Sequence, residues 1–282
     1  MINPNYNIYF DVNNFKGAIK CINEYGYCVI RKMIGEELVK ELKCSIDEFI
    51  DPGLNIPPAS NRSHLAFAEV SRPLWKLIEN APYLNFNYQV YGTKDLCLHR
   101  SAAILRTAGE SFGTWHTDSR EHIKTPKVAS DLLNCHGLLS GAWFYLNGSH
   151  PDHSGIAVIE KSHYLDWDGP EGFELTKNRN SFHPIGDDVE ATYKSINVPG
   201  CVPVVAEPGD LICFADRTFH TNMATYERRY SCGIGLRPKS IKINAPWSLP
   251  LTAQRMIENL PRHLKPYVDG YTGYDGQWEA DQ

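Results

Sequence analysis

Short apolar runs, separated by turn-forming residues, fill the chain after Lys94 and constrain its fold more than any other feature. The predicted strands are residues 97–106, 114–118, 138–146, 155–160, 202–206, 211–215 and 230–236. Many short strands in succession are typical of an antiparallel sandwich or barrel rather than of alternating strands and helices. A jelly roll of this kind holds ligands between its sheets, so we expect the functional site in the interior.

Helices are predicted mainly before this region. Residues 15–25 should form a short helix closed by Gly26, and residues 35–50 carry apolar side chains at helical spacing. Ser71 and Pro73 have the residue types that begin a third helix. Two further segments are assigned from composition and periodicity, a helix over 253–259 and a long loop over 51–64. The pattern predicts an α+β fold with helices around a two-sheet core.

One domain is expected over residues 1–282, because the length suits one large domain and no linker or repeat divides it. We expect mainly helical support in residues 1–95, a jelly-roll core in 96–238, and a helix with an irregular tail in 239–282.

Charge and hydropathy exclude several classes of partner. The formal net charge of −5 and the pI near 6.1 argue against nucleic acid and anionic membranes, which favour clustered Lys and Arg. No apolar run approaches membrane-spanning length, and the N-terminus lacks the pattern of a signal peptide. We therefore expect a cytoplasmic monomer or homodimer that binds a small molecule and keeps its eight cysteines reduced.

Two His-x-Asp triplets offer candidate metal ligands, His116 with Asp118 and His150 with Asp152. If His116 and Asp118 lie on a strand, the two-residue period points both side chains to one face, where they can bind one metal ion. The other triplet lies among turn formers, which predicts a surface loop. A third ligand must come from elsewhere. Two histidines and one carboxylate, with the opposite positions open, suit iron(II) enzymes that bind a cosubstrate and dioxygen.

A second candidate group follows His220. Arg229 and Ser231 share one face of the predicted strand, and Gly233 and Gly235 continue that face. A guanidinium and a hydroxyl beside two residues without side chains leave room for an anion. Arginine binds a carboxylate through two parallel hydrogen bonds, and serine can add a third. We predict that the anion is the distal carboxylate of 2-oxoglutarate, whose keto acid end would chelate the iron.

With these groups in place, the chain resembles the phytanoyl-CoA dioxygenase family of iron(II)/2-oxoglutarate oxygenases. The matching segments are His116-Thr117-Asp118, residues 155–163, residues 208–220, Arg229-Tyr230-Ser231 and residues 24–30. They occur in the order found in the family and extend over nearly the whole chain. Residues 51–95 and the tail after Pro238 fit least.

The resemblance implies a double-stranded β-helix, the jelly-roll fold of cupin-like proteins. It also implies that His116, Asp118 and His220 bind iron(II), and that an arginine after the distal histidine binds 2-oxoglutarate. Arg228 and Arg229 both qualify, and Arg229 is preferred because it lies in phase with Ser231.

Three further features bear on the site. Trp143 lies where many members carry a tryptophan near the cosubstrate. Arg106 could form a salt bridge, line the pocket or contact 2-oxoglutarate, and the structural role is preferred. Residues 119–138 form a longer connection than is usual, which either carries substrate specificity or is a solvated loop.

The predicted activity is hydroxylation of an unactivated C–H bond. The enzyme would bind iron(II), consume 2-oxoglutarate and dioxygen, and release succinate and CO2. Asp118 favours hydroxylation or a related oxidation, because halogenating members carry a small residue there. The preferred substrate is a small specialised metabolite such as an alkaloid, a terpenoid or an amino-acid derivative. Trp75, Trp115, Trp143 and Phe112 are candidates for an aromatic wall around it.

Three alternatives remain open. An acyl-CoA hydroxylase of the same family would be expected to show a Lys/Arg cluster for the several negative charges of its substrate, and none is visible. A zinc-dependent hydrolase is possible because His/His/Asp also binds zinc. A non-catalytic cupin-like binding protein would retain the fold without the chemistry.

Overall fold

A computed structural model of the chain describes residues 4–118, 141–187, 193–243, 245 and 247–273. Its α-helices are α1 (Phe15–Tyr25), α2 (Glu36–Ile50), α3 (Arg72–Glu79), α4 (Ala81–Tyr91) and α5 (Leu251–Asn259), with 3₁₀ helices at Phe67–Glu69 and Lys265–Val268. Its strands are β1 (Tyr9–Asp11), β2 (Tyr27–Arg31), β3 (Asn61–Leu65), β4 (Leu96–Arg106), β5 (Gly141–Tyr145), β6 (Ile156–Ile159), β7 (Phe173–Leu175), β8 (Phe182–Pro184), β9 (Cys201–Pro203), β10 (Leu211–Phe214), β11 (His220–Asn222) and β12 (Arg229–Pro238). The predicted 119–138 insert lies outside the described residues.

Most helices begin and end where the sequence predicts. Before α1, the Asn14 side chain accepts a hydrogen bond from the Gly17 amide, and Gly26 ends the helix in the left-handed conformation. Ser71 precedes α3, but its hydroxyl lies 2.7 Å from that of Ser45 and so links α3 to α2. Helix α4 was not predicted. Its buried residues, Tyr83, Phe86 and Asn87, form no continuous apolar stripe that would mark it.

The larger sheet has the strand order β1-β2-β10-β5-β12-β4-β3 and is antiparallel except between β1 and β2. Helices α2, α3 and α4 pack against its long central strands. Along β4 the odd-numbered residues from Cys97 to Leu105 are buried, whereas Arg100, Ala102 and Ile104 are half-buried. This alternation separates a helix-covered face from a face that lines an open interior.

The smaller sheet, β11-β6-β9, lies over that second face. On β6, Ile156 and Val158 belong to the hydrophobic cluster that includes the large sheet, whereas Ala157 and Ile159 pack with the β7–β8 hairpin. Because His220 pairs with Val158 across β11 and β6, the two-residue period directs its side chain toward the large sheet. Two antiparallel sheets with shared core residues and flanking helices confirm the α+β prediction at this level.

Three predictions about strands need correction or refinement. Residues 114–118 do not form a strand; only His116 is paired, in an isolated bridge with His220. The predicted 51–64 loop contains the start of β3, which is polar and exposed and therefore lacks the alternation that marks a strand. The predicted 202–206 strand is displaced and shorter, because β9 ends at Pro203 on an edge of the smaller sheet, where proline is tolerated.

The described residues include seven of the eight cysteines. The seven cysteines described there form no disulfide, and all except Cys44 are buried. None of the described helices combines the length and the apolar character that crossing a bilayer requires.

The turn before β10 provides a stability test. Gly209 has φ +92°, and a Cβ there would lie 2.5 Å from the carbonyl oxygen of Ile34. Gly209→Ala should therefore lower the free energy of unfolding by about 1–3 kcal/mol, the usual cost of a residue held in a disfavoured backbone region. Urea denaturation measures this. Gly35→Ala is the control, because a Cβ at Gly35 meets no atom within 4 Å; equal losses in both variants would contradict the argument.

Candidate metal centre

His116 and His220 are brought together by backbone pairing. The His116 amide donates to the His220 carbonyl at 3.1 Å, and the His220 amide donates to the His116 carbonyl at 2.9 Å. Such a reciprocal pair places two side chains next to each other on one face. The imidazole centroids are accordingly 4.3 Å apart, and the Phe214 ring packs 4.5 Å from that of His220.

Both imidazoles are held in the same way. The Nδ1 atom of His116 lies 2.8 Å from the Thr114 carbonyl oxygen, and Nδ1 of His220 lies 2.9 Å from the Thr218 carbonyl oxygen. Since a carbonyl accepts, each Nδ1 carries the proton and each Nε2 presents a lone pair. Burial and the nearby His116 lower the pKa of His220 to about 4, which keeps it neutral at neutral pH.

Asp118 completes a group of three potential ligands. Its Oδ1 atom lies 3.9 Å from Nε2 of His116 and 3.9 Å from Nε2 of His220. One ligand atom from each residue lies within 4.8 Å of the others, and this is the one such group among the described residues. Asp118 is not positioned by a strand. The segment is held instead by Thr117, whose amide donates to Asn180 and whose hydroxyl donates to the Asp216 carbonyl.

The second His-x-Asp triplet is on the surface, as predicted. His150 and Asp152 lie in a turn, 3.6 Å apart, with side chains that are 44% and 82% exposed. Within the described part of the chain they belong to no group of three potential ligand atoms that lie within 4.8 Å of one another.

Arg229 begins β12 and is fully buried. Its Nη1 donates to Oδ1 of Asn222 at 2.8 Å, and its guanidinium carbon lies 5.1 Å from the centroid of the Tyr145 ring. Its Nε and Nη2 atoms are buried without a hydrogen-bond partner among the described residues. Burial lowers its pKa to about 10, so the side chain remains charged at neutral pH. A carboxylate could accept hydrogen bonds from both of these charged donors.

Arg228 has a different environment. It donates to Asp47 at 2.6 Å and to Asp51 at 2.8 Å, and its Nε donates to the hydroxyl of Tyr230 at 2.7 Å. These contacts tie the start of β12 to the end of α2. The guanidinium is therefore occupied by carboxylates of the protein itself, whereas that of Arg229 is not.

Arg106 lies opposite Arg229 in the β4–β12 ladder and is also buried. It forms an ion pair with Glu110 at 3.2 Å and donates to the carbonyls of Met223 and Ser111. These contacts anchor the segment after β4, which is the structural role preferred from the sequence.

Ser231 and Trp143 lie on the same sheet face as Arg229. Ser231 is buried and pairs with Tyr145, and Trp143 is half-buried two residues before Tyr145 on β5. A Cβ on Gly233 would lie 2.6 Å from the Ala142 carbonyl oxygen, so glycine is needed for the close approach of β12 and β5.

The predicted aromatic wall is largely wrong. Trp75 and Trp115 are completely buried, and their indole N–H groups donate to the carbonyls of Ala68 and Ser195. Phe112 is half-buried and packs against the cluster around Trp115. Of the four candidates, Trp143 lies on the face that carries Arg229.

Two residues near the site were missed from the sequence. Asn222, the partner of Arg229, lies two residues after His220 and so shares its face of β11. Arg100 lies six residues before Arg106 on β4, and its Nη2 is 3.9 Å from Oδ2 of Asp118. In both cases the two-residue period of a strand was the available signal.

The metal group can be tested without knowledge of the reaction. His116→Ala, Asp118→Ala and His220→Ala should each weaken Co²⁺ binding to metal-free protein by at least about 100-fold, more than the roughly 10- to 100-fold lost with an outer-shell partner. Isothermal titration calorimetry measures the affinity. His150→Ala is the matched control and should bind as wild type does; an equal loss there, or none at His116, would contradict the assignment.

Comparison with known proteins supports the fold. No family model and no curated protein matches the sequence. The solved structure of HygX from Streptomyces hygroscopicus with nickel and 2-oxoglutarate is similar, with 14% identity, coverage of 80% of this chain and 88% of HygX, and a TM-score of 0.60.

Two structures from nogalamycin biosynthesis are also similar. The epimerase SnoN, in complex with Fe³⁺, α-ketoglutarate and nogalamycin RO, has 16% identity, coverage of 89% of this chain and 91% of SnoN, and a TM-score of 0.58. The non-heme α-ketoglutarate-dependent carbocyclase SnoK has 16% identity, coverage of 80% and 85%, and a TM-score of 0.53. The chain thus shares the fold of 2-oxoglutarate-dependent enzymes, while membership of the phytanoyl-CoA dioxygenase family stays a prediction.

Proposed function

We propose that this protein is an iron(II)/2-oxoglutarate-dependent oxygenase, built as a single double-stranded β-helix domain over residues 1–282. One observation carries the proposal. The ligand atoms of His116, Asp118 and His220 converge within 4.8 Å, and Asn222, two residues after His220 on β11, accepts a hydrogen bond from Arg229, a buried arginine with two donors unsatisfied by the described residues. A metal site beside an anion site is what a chelating dianionic cosubstrate requires.

The residues present fit both groups. Two imidazoles and one carboxylate leave coordination positions open, as iron(II) oxygenases need. The unsatisfied Nε and Nη2 of Arg229 can bind one carboxylate, and Ser231 lies on the same face. Bound there, iron(II) and 2-oxoglutarate would supply dioxygen activation and the oxidation of an unactivated C–H bond.

The protein's own residues would bind and orient the metal and the cosubstrate, and would exclude water. The carbonyls of Thr114 and Thr218 hold the two imidazoles with Nε2 toward the metal position. The Phe214 ring covers one side of His220. Asn222 and Tyr145 fix the plane of the Arg229 guanidinium, so that its remaining donors are oriented before the cosubstrate arrives.

Hydroxylation is the proposed outcome, with succinate and CO2 as the other products. The carboxylate of Asp118 lies within reach of both imidazoles and supplies a third protein ligand. The carbocyclase and epimerase among the similar structures mark ring closure and epimerisation as the nearest alternatives on this fold.

A small specialised metabolite is the proposed substrate, which is supported by the structure of SnoN in complex with nogalamycin RO. A cytoplasmic location and a monomeric or homodimeric state belong to the same proposal. A zinc-dependent hydrolase or a non-catalytic binding protein would leave the unsatisfied donors of Arg229 without a role, and an acyl-CoA would need a cationic cluster.

Anaerobic titration of metal-free protein with iron(II) and then 2-oxoglutarate tests the proposal. A visible charge-transfer band should form in wild type and be absent in His116→Ala. In Arg229→Gln the dissociation constant for 2-oxoglutarate should rise about 30-fold or more, because breaking a buried charged contact costs at least about 2 kcal/mol.

Arg228→Gln is the matched control for this experiment. It removes the same charge from the adjacent residue, and its 2-oxoglutarate affinity should stay near that of wild type. Absence of the band in wild-type protein that binds iron would reject the oxygenase proposal. Weaker 2-oxoglutarate binding in Arg228→Gln than in Arg229→Gln would reassign the anchor.

A further inference from the structure

The β7–β8 hairpin has no part in the proposed function, yet its turn contacts the segment that carries two of the three potential metal ligands. We call this segment, residues 114–118, the metal segment. Its side chains alternate in burial, since Trp115 and Thr117 are buried whereas His116 and Asp118 are half-buried. Such alternation is typical of extended backbone, in which successive residues direct their amide and carbonyl groups to opposite edges. The metal segment therefore has two edges on which partners can hold it.

Each edge of the metal segment has its own partner. On one edge, His116 pairs with β11 through its amide and its carbonyl. On the opposite edge, the Ser181 hydroxyl donates to the Trp115 carbonyl at 2.6 Å. On that edge too, the Thr117 amide donates to the Asn180 carbonyl at 3.1 Å. The hairpin turn thus binds the residues on either side of His116 and fixes the metal segment from the edge opposite β11.

One aromatic ring of the hairpin packs against the neighbours of both candidate histidines. Between ring centroids, Phe182 on β8 lies 5.8 Å from Trp115 and 5.9 Å from Phe219, and all three residues are almost completely buried. Trp115 directly precedes His116, and Phe219 directly precedes His220. In extended chain, neighbouring side chains point to opposite faces, so these rings lie on the face away from the imidazoles. Packing on a single ring therefore restrains the backbone at both histidines.

The hairpin turn is itself held by Thr176. The Thr176 hydroxyl accepts from the Ser181 amide at 3.2 Å and donates to Oδ1 of Asn180 at 3.0 Å. The Thr176 carbonyl accepts from the Arg179 amide at 2.7 Å. Local hydrogen bonds of this kind from a threonine stabilise turns. The groups that contact the metal segment are thus presented by a turn of defined conformation.

We propose that the β7–β8 hairpin positions the metal ligands, with Ser181 acting on the metal segment and Phe182 acting on both histidines. This inference rests on the proposed function and adds to it two positioning residues, neither of which would be a ligand. A metal ion binds the fraction of molecules in which all ligands are in place, so its apparent affinity falls when the metal-free protein populates other arrangements. Each contact of the hairpin disfavours such arrangements, which is how supporting residues preorganise a site.

The test uses full-length, metal-free protein with Co²⁺ as the probe, and calorimetry measures the affinity. Ser181→Ala should weaken Co²⁺ binding about 3- to 10-fold, the effect of one hydrogen bond. Ser181→Thr retains the hydroxyl and should bind as wild type does. Phe182→Leu retains an apolar side chain without the ring and should weaken binding about 2- to 10-fold, the effect of the lost aromatic contacts. The visible absorption of bound Co²⁺, which depends on ligand geometry, should also differ between Ser181→Ala and wild type.

Ser149→Ala is the matched control. The Ser149 hydroxyl is buried and likewise donates to a backbone carbonyl at 2.6 Å, that of Val204. Its further hydrogen bonds go to Ile156 and Ala206, outside the metal segment and the hairpin. In urea, Ser149→Ala should lower the free energy of unfolding at least as much as Ser181→Ala does, while Co²⁺ affinity and the Co²⁺ spectrum stay those of wild type. A general loss of stability is thereby separated from a loss of ligand positioning.

Unchanged Co²⁺ affinity in Ser181→Ala would overturn the inference, as would an equal loss in Ser149→Ala or a Ser181→Thr variant as weak as Ser181→Ala. Unchanged affinity in Phe182→Leu would overturn the part assigned to that ring. The iron(II)/2-oxoglutarate band of wild type separates these failures from that of the proposed function. A band in wild type with unchanged Co²⁺ affinity in the hairpin variants rejects the positioning role alone. No band in wild-type protein that binds iron rejects the oxygenase proposal, and the Co²⁺ affinities still decide the role of the hairpin.

Discussion

The reciprocal backbone hydrogen bonds between His116 and His220 are the contact on which the candidate centre depends. Residues 111–118 have almost no regular structure of their own, so their position is set by neighbouring chain. Gly113 adds two contacts to β11, since its amide donates to the Asn222 carbonyl and its carbonyl accepts from the hydroxyl of Thr221. The segment is thus held along β11, and Asp118 reaches both imidazoles without lying on a strand.

The burial of Arg229 is the second constraint. Removing a guanidinium from water is costly unless its donors are satisfied, and Asn222 and Tyr145 compensate only in part. A neighbouring buried arginine, Arg106, is neutralised by Glu110. Retaining an incompletely satisfied charge in the interior is a cost to stability that an anionic ligand would offset, which connects the energetics of the fold with the chemistry of the site.

The sequence predicted elements well where burial imposes a period. The boundaries of α1, α2, β4, β6, β10 and β12 follow from apolar side chains that recur at helical or strand spacing. This periodicity does not mark an element that forms through its tertiary contacts. Exposed β3 exists because β4 offers an unpaired edge, and α4 carries no clear stripe. Trp75 and Trp115 were placed beside the substrate because aromatic residue types suit pockets, yet packing buries both completely.

By itself, the sequence determined the donor chemistry of the site: two histidines and an aspartate for a metal, and an arginine with a serine two residues later for an anion. It favoured Arg229 over Arg228 only through its phase with Ser231, because adjacent residues on a strand point to opposite faces and composition does not say which face is interior. In the tertiary structure α2, with Asp47 and Asp51, packs against Arg228, whereas Arg229 is buried in the interior. It also placed Arg100 beside Asp118 at 3.9 Å, since tertiary contacts hold the irregular segment that ends at Asp118 along β11.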